Sequence, residues 1–296
     1  MKRGFIIGDE WIYYKIYCGP KTADMILVNT IKPLVYKLIE EGLIDNWFFI
    51  RFNDPDYHLR LRFHLHNITK IGEINTLFYN AINVYYNESI VWKIQMDTYE
   101  REIERYGSSS IETMESFFKF DSELVINIIS LLPMMDGEHS RWLIGMKDID
   151  YILKVFKFSL EEKLSLLHVM KDLFEKEFNM DQRFKVQLDK KYREERKKIE
   201  LVLRSNSLMS ESRYLDEIFV RSNEVVIKLV ERIINLLKNE QREINEILPS
   251  IIHMHCNRLF NSKQRLNEFV LYYFTYQYYR SELAKLQKNN ILKSNN

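Results

Sequence analysis

The run HLRLRFHLH at residues 58–66 alternates apolar with cationic or imidazole side chains without a break, a period of two that a strand requires and a helix cannot use. As a strand it sends Leu59, Leu61, Phe63 and Leu65 to one face and His58, Arg60, Arg62, His64 and His66 to the other. The preceding WFFIRF carries Arg51, and Asn53, Asp54, Pro55 and Asp56 between the two runs are turn chemistry: Asn and Asp bond back to local backbone and Pro presets φ. Residues 47–66 are therefore predicted to form a β-hairpin that gathers Arg51, Arg60 and Arg62 in a small area.

Neighbouring guanidiniums repel unless an anion or carboxylates sit among them, and the planar fork of arginine suits carboxylate and phosphate. One reading is a functional anion site. The other is a solvated strand face whose arginines pair with Asp54, Asp56 and Glu102. His64 and His66 have metal-compatible spacing, but with no cysteine or carboxylate cluster beside them no metal site is predicted.

The anion site, if there is one, must be local, because Lys+Arg 43 against Asp+Glu 42 leaves a formal charge of +1 and no global field for nucleic acid or membrane. The 296 residues, 46% hydrophobic, suffice for a substantial core. Cys18 and Cys256 lie far apart, the apolar stretch at the start is too short for a secretory signal, and no window is long and apolar enough to span a bilayer. These features predict a cytoplasmic protein with reduced thiols. Rossmann, P-loop, G-x-S-x-G and H-E-x-x-H motifs are all absent.

The fold class predicted is α+β, with an N-terminal ferredoxin-like β-α-β-β-α-β sheet followed by a mainly helical C-terminal region. WIYYKIYC (Trp11–Cys18) is aromatic and β-branched, a helical pattern follows at 22–41, then the hairpin, a second amphipathic helix at 71–86 and a strand at 91–99. The division expected is a sheet region over 1–107 and a helical region over 108–296, acting as one unit. Only 8 Gly and 5 Pro favour long helices, placed at 111–132, 138–156, 160–178, 182–205, 211–239, 243–259 and 263–288. The charge-dense 185–198 reads as a solvated helix face or linker, and the aromatic run 269–279 as the core stripe of the last helix.

Two further segments carry chemistry. In TYEREIERYG, residues 98–107, Glu102 and Arg105 stand three apart and would pair on one helical face, from which Arg105 can point back to the hairpin. In IIHMHCNRLF, residues 251–260, His253 and Asn257 share one helix face while His255 and Arg258 lie on another. Such groups in apolar surroundings need hydrogen-bond partners when buried, and a histidine is also the side chain best matched to proton transfer at neutral pH.

Taken together, W-x-Y-x-K-I-Y, FFIRF-x-D-P-x-x-HLRLRF, TYExEIERYG, FxxDS at 118–122 and HMHCNRL resemble the C-terminal glutamate-elimination domain of class I lantibiotic dehydratases, also found as a separate chain in thiopeptide-type bacteriocin pathways. The resemblance spans nearly the whole length, with the motifs in family order. It implies a lyase that removes glutamate from glutamylated Ser or Thr of a precursor peptide, leaving dehydroalanine or dehydrobutyrine. It further implies a separate glutamyl-tRNA-dependent glutamylation protein as partner, without direct nucleic-acid contact by this chain, and no metal or organic cofactor; a homodimer is left open. The family's arginines match Arg60, Arg62 and Arg105, its acid matches Glu102, and its histidine falls in HMHCNR, where His253 is favoured over His255. His253, Arg60, Arg62 and Arg105 are the expected catalytic group, with Arg51, Glu102, His255, Asn257 and Arg258 binding substrate.

The sequence departs from the family at Ser108 and Asn261, where glycine is often found, which bears on substrate identity more than on reaction class. Two alternatives stand beside elimination. One is the formal cycloaddition of the related thiopeptide pyridine synthases, which depart from the arginine and histidine motifs kept here. The other is a non-catalytic scaffold whose cationic face recruits an acidic leader.

Overall fold

The β-branched and aromatic segments of the first hundred residues fold as a four-stranded antiparallel sheet in a computed structural model that describes residues 1–204 and 213–294. In chain order the elements are β1 (Gly4–Phe5), β2 (Trp11–Cys18), α1 (Pro20–Ile26), a π-helical turn (Leu27–Ile31), α2 (Lys32–Glu40), β3 (Ile44–Asn53), β4 (Tyr57–Leu65), α3 (Ile71–Asn87), β5 (Val91–Met96) and β6 (Tyr99–Glu100). The helices that follow are α4 (Ile103–Tyr106), α5 (Ile111–Leu131), α6 (Gly137–Val155), α7 (Leu160–Glu177), α8 (Gln182–Arg204), α9 (Arg213–Asn239), α10 (Ile244–Leu259) and α11 (Gln264–Ser294). The expected α+β class and its helices are present, while positions 205, 211 and 212 of the expected helices lie outside the described residues. The long strand expected over 91–99 is two elements, since β6 leaves the main sheet to pair with β1.

The main sheet runs β3-β4-β2-β5, so the first and third strands of the β-α-β-β-α-β series are central and the second and fourth form the edges. Ile12, Tyr14 and Ile16 lie opposite Phe63, Leu61 and Leu59, and this apolar face is covered by helices; Tyr14 stacks on Phe78 of α3 at 3.9 Å. Arg60 and Arg62 point to the other face, where Phe48 meets Phe118 of α5 at 5.4 Å. That face is covered too, and Arg62 is only 7% exposed.

The hairpin register corrects one expectation. Arg51 pairs with Leu59, Ile50 with Arg60 and Phe48 with Arg62, so Arg51 projects from the opposite face to Arg60 and Arg62. Asn53 pairs with Tyr57, leaving a three-residue loop where the sequence reading allowed four, and a shift of one residue turns a strand's side chains over.

By compactness the described chain forms two units, neither a continuous segment. One comprises Met1–Met135 and Lys228–Ser262, and thus holds both sheets, α1 to α5, the end of α9 and α10. The other comprises Asp136–Ile227 and Lys263–Asn296. In it Phe269, Tyr272, Tyr273, Phe274 and Tyr279 of α11 are core residues, and a buried Asp150 accepts from Lys163 (2.9 Å) and Tyr279 (2.5 Å). Residues 185–198 lie in α8 with most side chains exposed. No helix among the described residues is long and apolar enough to cross a membrane.

Candidate active site

Strand register builds the site around Arg62. Tyr13 of β2 and Phe48 of β3 are its directly opposite neighbours on the two flanking strands, and Tyr99 of β6 reaches over the same face. Their ring centroids stand 4.4, 5.1 and 4.9 Å from the guanidinium carbon. Within this cage the guanidinium makes no hydrogen bond or ion pair among the described residues, and its Nε and Nη1 are shut off from water. Burial pulls its pKa below the ordinary arginine value, with Tyr13, Tyr99 and Glu102 opposing the shift. A buried cation without a paired counter-charge is stabilised by an incoming anion.

Arg62 lines a pocket of about 400 Å³, open solvent at its mouth included, together with Tyr99, Glu100, Glu102, Tyr106 and Arg258. The remaining wall is apolar: Phe48, Ile50, Ile111, Phe118 and Met254. Tyr99 donates to Glu115 (2.7 Å), which is also gripped by Arg101 through two contacts of 2.7 Å. Burial, reinforced by the Glu115 charge, pushes the Tyr99 phenol well above its ordinary pKa, so it remains a neutral donor.

The other expected residues divide between pocket, rim and frame. Arg60 shares the face of Arg62 but lies over Phe52 at 3.4 Å and donates from Nε to His58 Nε2 (3.1 Å). Glu102 lines the pocket and pairs with Arg105 at 3.1 Å as its spacing predicted; Arg105 is half exposed and is not part of the lining. Arg51 is bound within the fold, to the Arg258 carbonyl (2.8 Å), the Tyr57 hydroxyl (3.0 Å) and Asp24 (2.6 Å). His64 is bound to Asp45 at 2.6 Å.

Helix α10 supplies the segment 251–260. Its start is fixed by a reciprocal capping box between Glu243 and Glu246. His255 and Arg258 both turn to a buried carboxylate, with His255 Nδ1 at 2.7 Å and Arg258 Nη1 at 2.8 Å from Asp121 of α5. Burial alone would raise the Asp121 pKa, but the charges and hydrogen bonds of His255 and Arg258 hold it below the usual carboxylate range. Asn257 bonds to backbone instead, its amide accepting from the Arg51 N–H (2.9 Å) and donating to the Arg51 carbonyl (2.8 Å). Arg258 Nε donates to the Phe49 carbonyl (2.9 Å) and the Phe49 N–H donates to Ser122 (3.2 Å), so side chains complete the outer edge of β3. His253 is partly exposed and is not part of the lining, to which α10 contributes Met254 and Arg258.

The rim segment 98–107 is held at its end by Gly107, whose φ of +88° and ψ of 148° suit glycine alone. An added Cβ there would stand 2.6 Å from Ser110 Oγ and collide with Glu240, which receives bonds from Ser108 Oγ (2.6 Å) and from Ser109 N and Oγ (2.5 Å each).

The family model for "Lantibiotic biosynthesis dehydratase C-term" matches residues 11–279. The chain belongs to this family. Among curated relatives it is 26% identical over 284 residues to the subtilin biosynthesis protein SpaB of Bacillus subtilis, covering 94% of this chain and 26% of the relative. It is 27% identical over 282 residues to the nisin biosynthesis protein NisB of Lactococcus lactis subsp. lactis, covering 93% and 26%. The chain therefore spans about a quarter of the length of these relatives.

Among solved structures, the tRNA-dependent lantibiotic dehydratase MibB from Microbispora sp. 107891 shares the fold, with a TM-score of 0.69 at 16% identity over 93% of this chain and 29% of that one. The pyridine synthase TbtD, from thiomuracin biosynthesis, does so with a TM-score of 0.68 at 10% identity over 92% and 98%. Since a dehydratase and a pyridine synthase share this fold, side chains must discriminate between activities.

Sequence reasoning missed the cage residues Tyr13, Phe48 and Tyr99, the pocket residue Glu100 and the buried Asp121. The first two follow from register once Arg62 is placed. Asp121 carried a signal: with Phe117, Phe118, Leu124, Val125 and Ile128 it continues the buried stripe of α5, where an acid needs a cationic partner.

Proposed function

We propose that the chain is a glutamate-eliminating lyase of lanthipeptide or thiopeptide biosynthesis, converting glutamylated Ser or Thr of a precursor peptide to dehydroalanine or dehydrobutyrine. The observation that carries this reading is Arg62, a buried, caged cation with no ion-pair partner among the described residues, lining a pocket that opens to solvent. A glutamyl ester brings a carboxylate to such a site. The glutamyl group is installed beforehand by a glutamyl-tRNA-dependent partner, and the reaction takes place in the cytoplasm.

The chemistry asks little of an acid and much of a base. The leaving group is a carboxylate whose conjugate acid has a reference pKa of about 4.3 for a Glu side chain, so it departs readily. The difficult event is removal of the weakly acidic Cα proton. In our reading His253 takes that proton, the C–H electron pair becomes the Cα=Cβ bond, and the Cβ–O bond breaks to release glutamate. Arg62 holds the glutamyl carboxylate, while Arg60 and Arg105 stabilise negative charge developing on the adjacent amide. Arg51, Asn257, His255 and Arg258 then act by positioning: their hydrogen bonds fix β3 against α10 and α5.

The test is incubation with a synthetic precursor carrying one glutamyl ester on Ser, followed by mass measurement. Loss of glutamic acid is expected with the native chain, and accumulation of the ester with Arg62→Ala or His253→Ala. An ester that stays intact with leader and partner supplied would refute the reading, and normal elimination by both variants would refute the assignment of residues.

A further inference from the structure

We infer that the pocket reads the glutamyl group as a zwitterion, taking its free carboxylate at Arg62 and its ammonium at Glu100 and Glu102. The inference deepens the elimination reading and rests on it for the identity of the acyl group. A glutamyl group esterified through either carboxyl retains one carboxylate and one ammonium, so its complement needs charges of both signs.

The pocket wall has that complement. Its cations are Arg62 and Arg258; Arg258 also has a buried Nη2 without a hydrogen-bond partner among the described residues, but its charge is already met by the Asp121 carboxylate, whereas Arg62 has no counter-charge paired with it. Arg62 is therefore the anion's partner. Its carboxylates are Glu100 and Glu102. Glu102 pairs with Arg105, whereas Glu100, exposed and carried by the short β6 strand, makes no ion pair among the described residues. For a simple anion, carboxylates in the same small pocket would repel the occupant that Arg62 attracts. For a zwitterion both signs are favourable.

The test uses two peptides that differ only in the acyl group, glutamyl or glutaryl, joined to one side chain through an amide that does not leave. Glutaryl keeps the carboxylate and lacks the ammonium. Titration calorimetry with the full chain should give at least about tenfold tighter binding of the glutamyl amide, the equivalent of one charge-assisted contact. Glu100→Gln combined with Glu102→Gln should bring the ratio towards one. Glu104→Gln, whose carboxylate binds Arg3 and is not in the pocket wall, should leave the ratio unchanged and controls for general loss of acidic charge.

Equal binding of the amides, binding of neither, or a preference that survives the double variant would each overturn the inference. The corresponding esters separate its failure from that of the elimination reading. Elimination of both esters at equal rates, with equal binding of the amides, would leave the lyase standing and remove the zwitterion. A glutamyl preference sensitive to the double variant, with neither ester eliminated, would do the reverse.

Discussion

Arg51 and Arg62 occupy adjacent strands and are almost equally buried, at 3% and 7% exposure, yet the structure predicts opposite responses to replacement by Met. Arg51→Met removes three hydrogen bonds, one of them to the Asp24 carboxylate. Breaking a buried pair of this kind costs about 3–5 kcal/mol. Arg62→Met breaks none among the described residues. The buried Nε and Nη1 of Arg62 each carry a penalty of about 1–3 kcal/mol, or about 2–6 together. Three ring contacts return about 0.5–2 kcal/mol apiece, or about 1.5–6 together. The two sums nearly cancel, and Met keeps favourable sulfur contacts with the same rings. Arg62→Met should therefore leave stability near that of the native chain, while Arg51→Met lowers it by several kcal/mol. Urea unfolding followed by circular dichroism reads the difference as a shift in midpoint at common slope. If Arg62→Met destabilises as much as Arg51→Met, Arg62 is a structural cation and the argument for an anion site around it collapses.

Two other perturbations probe the frame. Asp121→Asn keeps the volume of a side chain that is 2% exposed but leaves the Arg258 cation without its anion, for an expected loss of about 3–5 kcal/mol; a loss below about 1 kcal/mol in urea unfolding would show that the buried triad holds nothing together. Hydrogen bonds from Ser108 and Ser109, aided by the Arg242 charge, pull the Glu240 carboxyl down to about 2. A depressed pKa means stability that is fully present above the ordinary carboxylate range and is lost as pH falls towards 2. The stability gap between native chain and Glu240→Gln should accordingly be constant near neutrality and shrink progressively below about pH 4.5, and a gap that is flat from pH 7 to pH 3 would contradict it.

Local pattern carried much of this architecture. Helix ends from α5 to α10 could be read from periodicity to within a residue or two, those bordering 205–212 aside, and the alternation of strands and helices carried the β-α-β-β-α-β series but not which strands lie at the centre. The reading failed where one residue of loop length decides the outcome. Asn53 could serve the turn or the strand equally well, and that choice alone sent Arg51 to the far face. Nor did it foresee the bonds of Asn257 to the Arg51 backbone, because a side chain that completes another strand's backbone bonds leaves no trace in spacing. Arg62 was legible as a cation on a strand, but its lack of a partner among the described residues was not, since Asp54, Asp56 and Glu102 stood close enough in sequence to supply one.

The closure of β3 by Ser122, Asn257 and Arg258 limits how this sheet can associate. Backbone pairing between molecules extends indefinitely only when each sheet offers two vacant edges, one to receive and one to extend. Here the backbone N–H and C=O of Phe49 and Arg51, in the middle of β3, are already bonded by side chains, and β5 is the other edge of the sheet. Two copies paired through β5 would turn only their β3 edges outward, where the backbone of Phe49 and Arg51 is already bonded, so such pairing would disfavour growth into a fibre.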